Sequence, residues 1–500
     1  MRDNGGHRPV GDTGARGLPG WGVSTTSGPR GRRTLRSGWD VTKVVIIGGG
    51  PGGYEAALVA AQLGADVTVI ERDGIGGASV LTDCVPSKTL IATSVRTSYV
   101  KEAATLGINV GNEPEDKDLV RVELKTVNAR VKRLAQAQSV DTANRLRTEG
   151  VEIIIGEARL VDPHIVAVGD ERIRADVVLI ATGAHPRELP TARPDGERIL
   201  TWRQLYDLNE LPEKLIVVGS GVTGAEFANA YQALGSDVTL VSSRDRVMPT
   251  QDADAARVLE DVFARRGMTV LGNSRAESVT RTDAGVLVRL TDGRVIEGSH
   301  CLMTVGMVPN TANLGLEEAG IRLDERGFVQ VDRVSRTSTP GVYAAGDCTG
   351  VNMLASVAAM QGRIAMWHAL GAAVSPLRLS TVASTVFTHP ELAAVGATED
   401  DVVSGRVDGR IVKLPLATNP RAKMHNTRDG FVKLICRQHT GIVLGGVIVG
   451  PRASELILAV SLAVQQRLTV DDVAHTFAVY PSLSGSVTEA ARSLMQGFPE

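Results

Sequence analysis

Cysteine is scarce. Only four occur in 500 residues, Cys84, Cys301, Cys348 and Cys436, and no two form a C-x-x-C pair. That spacing argues against a disulfide framework and a thiolate zinc site, and it suits a reducing cytoplasm. The nine histidines show no metal-ligand spacing. No charge-free apolar stretch reaches the roughly 18 residues of a membrane span, so stable membrane insertion is not expected. A net charge of −2 provides no broad attraction to nucleic acid or to a membrane surface. What is present is an ordinary globular composition, 43% hydrophobic and 22% charged, in a chain long enough for roughly two to four domains.

Residues 1–40 stand apart. They are rich in Gly, Arg, Ser and Thr without an apolar period, which predicts a disordered N-terminal extension. Arg32-Arg33 also admits a twin-arginine export signal. Against this, the apolar run Val44–Ile47 that follows continues straight into a glycine loop and is needed by the fold. A translation start near Val41 is a further reading of the same stretch.

The segment KVVIIGGGPGGYEAALVAAQLGADVTVIE, beginning at Lys43, reads as strand, helix and strand. Lys43–Ile47 is the first strand, Tyr54–Leu63 is helical in pattern, and Asp66–Ile70 is the second strand, ending at Glu71. Gly48, Gly50 and Gly53 fit G-x-G-x-x-G, with Pro51 and Gly52 inside the motif. Such glycines allow a tight turn and close approach of backbone to a pyrophosphate at a helix N-terminus, and the terminal acid accepts from ribose hydroxyls. The motif by itself is weak, but strand, helix and acid in register make it specific.

The pattern recurs from Lys214, in KLIVVGSGVTGAEFANAYQALGSDVTLVSSRDR. Gly219, Gly221 and Gly224 follow the strand Leu215–Val218, Val222 and Thr223 lie between the glycines, and Asp237–Val241 is the second strand. The terminal acid is replaced by Ser242 and Ser243, followed by Arg244 and Arg246. A carboxylate there would repel a 2′-phosphate, whereas hydroxyls and guanidinium groups bind one. This favours NADPH, with NADH tolerated. An alternative is that these arginines belong to a solvated loop. Two complete units in one chain predict two cofactors face to face, a resident FAD and an exchanging nicotinamide. Ala175–Arg187 reads as a buried strand ending in Thr182-Gly183, and Gly341–Gly350 as a short strand ending in Asp347, an acid placed to bond ribityl hydroxyls or phosphates.

With these motifs stands CVPSK at Cys84–Lys88. Further segments are VGMVPNT at Val305–Thr311, AAGD at Ala344–Asp347, VFTHPELAAVG at Val386–Gly396 and YPSLSGSVTEAA at Tyr480–Ala491. Together they resemble the flavoprotein disulfide reductases, the family of dihydrolipoamide dehydrogenase and glutathione reductase, from about Lys43 to the C-terminus. The resemblance implies an α/β fold with two Rossmann-like domains, FAD-binding (41–187) and NAD(P)-binding (188–310). A central domain (311–380) would be the second part of the FAD domain, and a C-terminal α+β dimerisation domain (381–500) would follow. It also implies a homodimer in which the C-terminal segment of one subunit completes the other's active site. Apolar strands such as Gly441–Val449 are compatible with an interface sheet. The family's FAD positions correspond to Gly48–Gly53, Glu71, Gly77, Ala78, Ala158, Thr182, Gly183, Asp347, Leu354 and Ala355. Gly306 joins the nicotinamide set. Lys88 and Glu226 correspond to the ion pair beside flavin N5 and the nicotinamide. A cation near N5 stabilises reduced flavin, and the glutamate fixes the lysine and steers the carboxamide.

Two departures fall together. The family's C-x-x-x-x-C pair is here Ser79 and Cys84, and one sulfur cannot form a disulfide. The family's His-Pro base and its glutamate are here Tyr480 before Pro481, and Gly485. Tyrosine, with an ordinary pKa of about 10, is a poor proton shuttle near neutrality. Partner cysteine, base and orienting acid are lost as one module while both cofactor sites persist. This predicts no dithiol or disulfide reductase activity. It predicts instead hydride transfer from NAD(P)H to flavin and onward electron transfer to a quinone or similar small diffusible acceptor. That pattern resembles the NAD(P)H quinone reductase branch. A soluble pyridine-nucleotide transhydrogenase is the alternative on the same scaffold, although that group keeps the first cysteine position rather than the second. A redox-silent binding subunit is disfavoured by Lys88 and Glu226, and a single-cysteine peroxide reductase by the missing base. For Cys84 two readings stand, a thiolate donor to flavin with its pKa lowered by Lys88 and the helix start, or an inert packed thiol.

Overall fold

In the computed structural model residues 41–108 and 120–495 are described, and the expectations for residues 1–40 lie outside them. The first unit is β1 (Lys43–Ile47), α1 (Pro51–Gln62) and β2 (Asp66–Glu71). It is followed by α2 (Cys84–Glu102), which opens on the CVPSK motif. The second unit is β3 (Lys214–Val218), α3 (Val222–Leu234) and β4 (Asp237–Val241). Lys43 faces Asp66 and Lys214 faces Asp237, so the two units share one register.

Each unit sits in a five-stranded parallel sheet. The first runs Val342–Ala344, Val177–Ile180, β1, β2, Glu152–Ile155. The second runs Thr269–Leu271, β4, β3, His300–Met303, Ile199–Leu200. Val44–Ile47 and Leu215–Val218 are buried without alternation, as expected for strands covered on both faces. The strand expected over Ala175–Arg187 is confined to Val177–Ile180, and Thr182-Gly183 lie in the loop beyond it. The segment 311–380 returns Val342–Ala344 to the edge of the first sheet.

Two short antiparallel strands, Ala184–Pro186 and Met307–Pro309, pair where the chain passes between the parallel sheets. A third five-stranded sheet, antiparallel throughout, is built from residues 383–450. Its strand Val443–Gly450 covers the apolar run expected over Gly441–Val449. Lys433 ties this sheet to the second unit. Its ammonium is 1% exposed and bonds Asp252 at 2.7 Å, Asp254 at 3.0 Å, and Glu399. A buried cation needs such neutralisation. No helix among the described residues is long and apolar enough to cross a membrane.

Candidate active site

The first cradle is made of backbone. Gly48 has φ +105°, and a Cβ on it would strike the carbonyl of Ala181. A Cβ on Gly53 would strike the carbonyl of Gly48, so that glycine lets α1 pack against the loop. Gly50 is the opposite case, with no atom within 4 Å of the place its Cβ would take. It caps α1 without any side-chain bond, its carbonyl accepting from the Gly53 and Tyr54 amides, and Pro51 and Gly52 complete the first turn. Gly77, at φ +56°, lies directly on Gly50. Ala78 begins the short turn after it, and the carbonyl of Ala78 accepts from Thr82 and Asp83. An open glycine at an uncapped helix start fits a pyrophosphate.

Glu71 is 7% exposed and already partly engaged. Its carboxylate accepts from the Gly49 amide at 2.6 Å and the Asp73 amide at 2.8 Å. It therefore shapes the glycine loop as well as offering its remaining lone pairs to a ribose. The carbonyl of Glu71 accepts from Gly156, two residues before Ala158. Thr182 serves the inter-sheet joint more than was expected. Its hydroxyl donates to the Asn310 carbonyl at 2.7 Å, and the Asn310 amide returns a bond to the Thr182 carbonyl at 2.8 Å. Gly183, with φ +70°, stays open. Leu354 starts the helix Ala355–Ala369, again with no side-chain cap.

The second cradle repeats the first. Gly219 has φ +110°, a Cβ on Gly224 would strike the carbonyl of Gly219, and Gly221 is open. Val222 and Thr223 form the first turn of α3, and Gly306, φ +106°, lies at the joint with Arg187. One assignment is corrected here. Ser242 was expected among the groups facing a 2′-phosphate. It is instead fully buried, accepts from Ser220 Oγ at 2.7 Å and from the Arg244 amide, and donates within the turn to the carbonyls of Arg244 and Arg246. The cause is register. Ser242 follows β4 as Glu71 ends β2, and Ser220 matches Gly49, so Ser242 inherits the inward loop-bracing role. Ser243 and Arg244 remain exposed.

Between the cradles α2 and α3 bring Lys88 and Glu226 together, 138 residues apart, at 2.9 Å. Glu226 is 3% exposed, and its second oxygen accepts from the Phe387 amide at 2.8 Å. The Lys88 ammonium lies 5.1 Å above the Phe387 ring, a cation–π distance. Burial works against the charge on Lys88, but Glu226, aided by Cys84 and Asp83, holds its pKa above the ordinary value. Phe387 and the neighbouring bond from the His389 amide to Asn229 at 2.7 Å were not anticipated as part of the site. The only hint was the segment VFTHPELAAVG itself.

The same neighbourhood acts on Cys84. Burial, then the adjacent Asp83, push its thiol up to about 12, and Lys88 opposes this too weakly. This favours the inert-thiol reading over the thiolate donor, since Lys88 is already paired to Glu226. Ser79 donates to the Gly76 carbonyl at 3.1 Å, a local turn contact. The other three cysteines are free and buried. Burial, then Asp83, raise Asp347 to about 6. Tyr480 is 83% exposed, Phe477 and Val479 near it are exposed too, and among the described residues Tyr480 makes no hydrogen bond. This chain therefore does not bring Tyr480 to its own Lys88. Gly485 opens the last helix, its amide donating to Ser482 at 3.1 Å.

Comparison with known proteins agrees with this geometry. Residues 42–362 match the family described as pyridine nucleotide-disulphide oxidoreductase, and 382–491 match that family's dimerisation domain. The chain belongs to the pyridine nucleotide-disulphide oxidoreductases. Membership makes it an oxidoreductase of a flavin- and NAD(P)H-binding family. It is similar to a protein of Mycobacterium tuberculosis named NAD(P)H dehydrogenase (quinone), with 58% identity over 91% of this chain and 94% of that one. It is similar at 34% identity to dihydrolipoyl dehydrogenase of Geobacillus stearothermophilus, over 90% of this chain and 95% of that one. The crystal structure of LpdA from Mycobacterium tuberculosis superposes with a TM-score of 0.87 at 58% identity, over 91% of this chain and all of that one. The HOCl-induced flavoprotein disulfide reductase RclA from Escherichia coli reaches 0.80 at 25% identity, over 90% of this chain and 99% of that one.

Proposed function

We propose that this oxidoreductase is an FAD-dependent NAD(P)H:quinone reductase, with no dithiol–disulfide activity, that works as a homodimer. One observation carries the reading. The Lys88–Glu226 pair is complete and braced by Phe387, while Cys84 has no sulfur partner and Ser79 is turned back onto Gly76. The half of the site that handles hydride is built, and the half that handles disulfides is not. The 58% identical relative named NAD(P)H dehydrogenase (quinone) supports it.

A bound FAD would supply acceptance of hydride from the nicotinamide and release of two electrons to an acceptor. The chain's part is positional and electrostatic. The Gly48–Gly53 loop, Gly77 and Glu71 would hold the FAD pyrophosphate and ribose, with Ala78, Ala158, Thr182, Gly183, Asp347, Leu354 and Ala355 around the rest. Gly219–Gly224 and Gly306 would hold the nicotinamide nucleotide. Lys88 presents a fixed ammonium at the meeting point, and Glu226 keeps it charged and in place. Ser243 and Arg244, exposed at the end of β4 with no carboxylate at Ser242, favour NADPH while allowing NADH. Phe477, Val479 and Tyr480 form an exposed apolar run in the segment matched by the dimerisation domain. They would lie against the partner subunit, where Tyr480 would border its site.

The test is anaerobic. NADPH should bleach the flavin, 1,4-benzoquinone should restore its colour, and oxidised lipoamide should not. Faster reoxidation by an oxidised nicotinamide analogue than by any quinone would instead identify a transhydrogenase.

A further inference from the structure

Lys88 begins a stripe along α2. Ala92 and Arg96 follow at four-residue spacing, so the three share one face of the helix. Arg96 is two turns from Lys88, about 12 Å along the axis. Beside this stripe runs the helix Leu124–Thr148. Between the two helices lies a groove of about 730 Å³, lined by Ala92, Arg96, Lys125, Val127, Arg130 and Arg133, with Thr93, Thr126 and Ala129. Its size is that of a small-molecule site. Six residues past Arg133, the Ser139 hydroxyl donates to the Ile75 carbonyl, close to Gly77 of the flavin cradle. The Arg133 end of the groove is therefore the end nearer the cradle.

The charge of this groove is one-sided. Its lining holds four cations and no acid, in a chain whose net charge is −2. Arg96, Lys125, Arg130 and Arg133 are all exposed, and among the described residues none of them forms an ion pair. The neighbouring acids are engaged elsewhere. Asp207 holds Lys132, outside the groove, at 2.6 Å, and Glu123 accepts from the Thr126 hydroxyl at 3.1 Å. Arg130 and Arg133 stand three residues apart on one helix, and like charges at that spacing weaken a helix. Their placement makes sense when an anion lies between them. The groove is not purely ionic, for Ala92, Val127 and Ala129 add apolar surface. Guanidinium groups both stack on flat rings and grip oxyanions in a fork. Arg96 already lies over the Tyr99 ring, 6.0 Å from its centroid.

We propose that this groove binds the acceptor, and that the acceptor is an acidic quinone, one carrying a carboxylate, a sulfonate or an ionised ring hydroxyl. Arg96, Arg130 and Arg133 hold the anionic group, and the quinone ring extends along the α2 stripe towards Lys88. The four cations also draw such a molecule in from solution. These residues bind and orient; none of them takes part in the transfer of electrons. The proposal rests on the quinone-reductase reading.

The experiment uses the full-length, FAD-loaded enzyme with NADPH and two acceptors of the same ring, neutral 1,4-naphthoquinone and the fixed anion 1,4-naphthoquinone-2-sulfonate. In the double variant Arg130→Gln/Arg133→Gln, kcat/KM for the sulfonate should fall about tenfold, the weight of two exposed charges, and the loss should lie in KM. For the neutral quinone it should change less than about twofold. Lys132→Gln, on the same helix but outside the groove, should alter neither. In the wild type, raising salt from about 0.05 to about 0.5 M should lower kcat/KM for the sulfonate and leave the neutral quinone level, a readout that needs no variant. If the NADPH-bleached enzyme reduces neither quinone, the quinone-reductase reading falls and this proposal with it. If it reduces the neutral quinone, that reading stands. The groove assignment alone is then overturned by equal losses for both acceptors, by no loss for either, by matching salt profiles, or by a Lys132→Gln loss as large as that of the groove variant.

Discussion

Glu226→Gln isolates the ion pair at the centre of the site. Glutamine keeps an acceptor for the Phe387 amide, now 2.8 Å from Glu226, so only the charge is removed. At the Lys88–Glu226 separation of 2.9 Å the gross attraction is about 6 kcal/mol at an effective dielectric near 20. Lys88 is 32% exposed, so water replaces part of that in the variant. The net loss should lie between an exposed pair, under about 1 kcal/mol, and a buried one, about 3–5. We expect about 2 kcal/mol of stability and, because the same contact anchors the ammonium where hydride is delivered, about a thirtyfold slower bleaching of flavin by NADPH. Stopped-flow absorbance under anaerobic conditions and denaturant melts read the two effects. Glu226→Ala should cost about 1–3 kcal/mol more, because the Phe387 amide is then stranded. The pH profile should also change. Burial is the largest influence on Lys88 and pulls its pKa down; Glu226 reverses that. In the Gln variant the rate should therefore fall as pH rises through a value below the ordinary 10.5, a limb the wild type lacks. A double-mutant cycle with Lys88→Met that gives a coupling under about 0.5 kcal/mol would refute the reasoning.

With the Cys84 thiol at about 12, long-wavelength absorbance should stay flat from neutral pH to about 10, and Cys84→Ala should change quinone turnover less than about twofold. A thiolate band at neutral pH would contradict this. Arg244→Ala should raise KM for NADPH about tenfold, the loss of one charge-assisted bond, and leave KM for NADH nearly unchanged. Equal shifts for both nucleotides would show that Arg244 does not meet the 2′-phosphate. Gly50→Ala and Gly53→Ala should fail differently. Alanine at position 50 meets no protein atom within 4 Å, so a folded protein with poor flavin loading is expected. At position 53 it strikes the carbonyl of Gly48, so the melting temperature itself should drop.

The two glycine loops, their strands and their shared offset were legible because they are local. Each motif spans one strand, one turn and one helix, and the spacing of glycines constrains the backbone wherever the unit sits. The loss of the disulfide module was legible for the same reason, since Ser79, Tyr480 and Gly485 are substitutions within recognisable patterns. The orientation of Ser242 was not. A serine at the end of a strand can face a nucleotide or brace a loop, and the choice depends on Ser220, which is 22 residues away.

Long-range contacts account for the rest. Glu226 and Phe387 meet across 161 residues, and nothing within VFTHPELAAVG signals that its backbone closes the site. The upward shift of the Cys84 thiol likewise depends on burial and on the charges near it, which only packing sets. The sequence alone determined that this chain carries two dinucleotide cradles and lacks a thiol couple, because backbone sterics and the need for two sulfurs are local facts. Only the tertiary structure decided which serine turns inward, what braces Lys88 and which charges surround Cys84. Solvation and Coulomb energies depend on neighbours in space, whatever their distance along the chain.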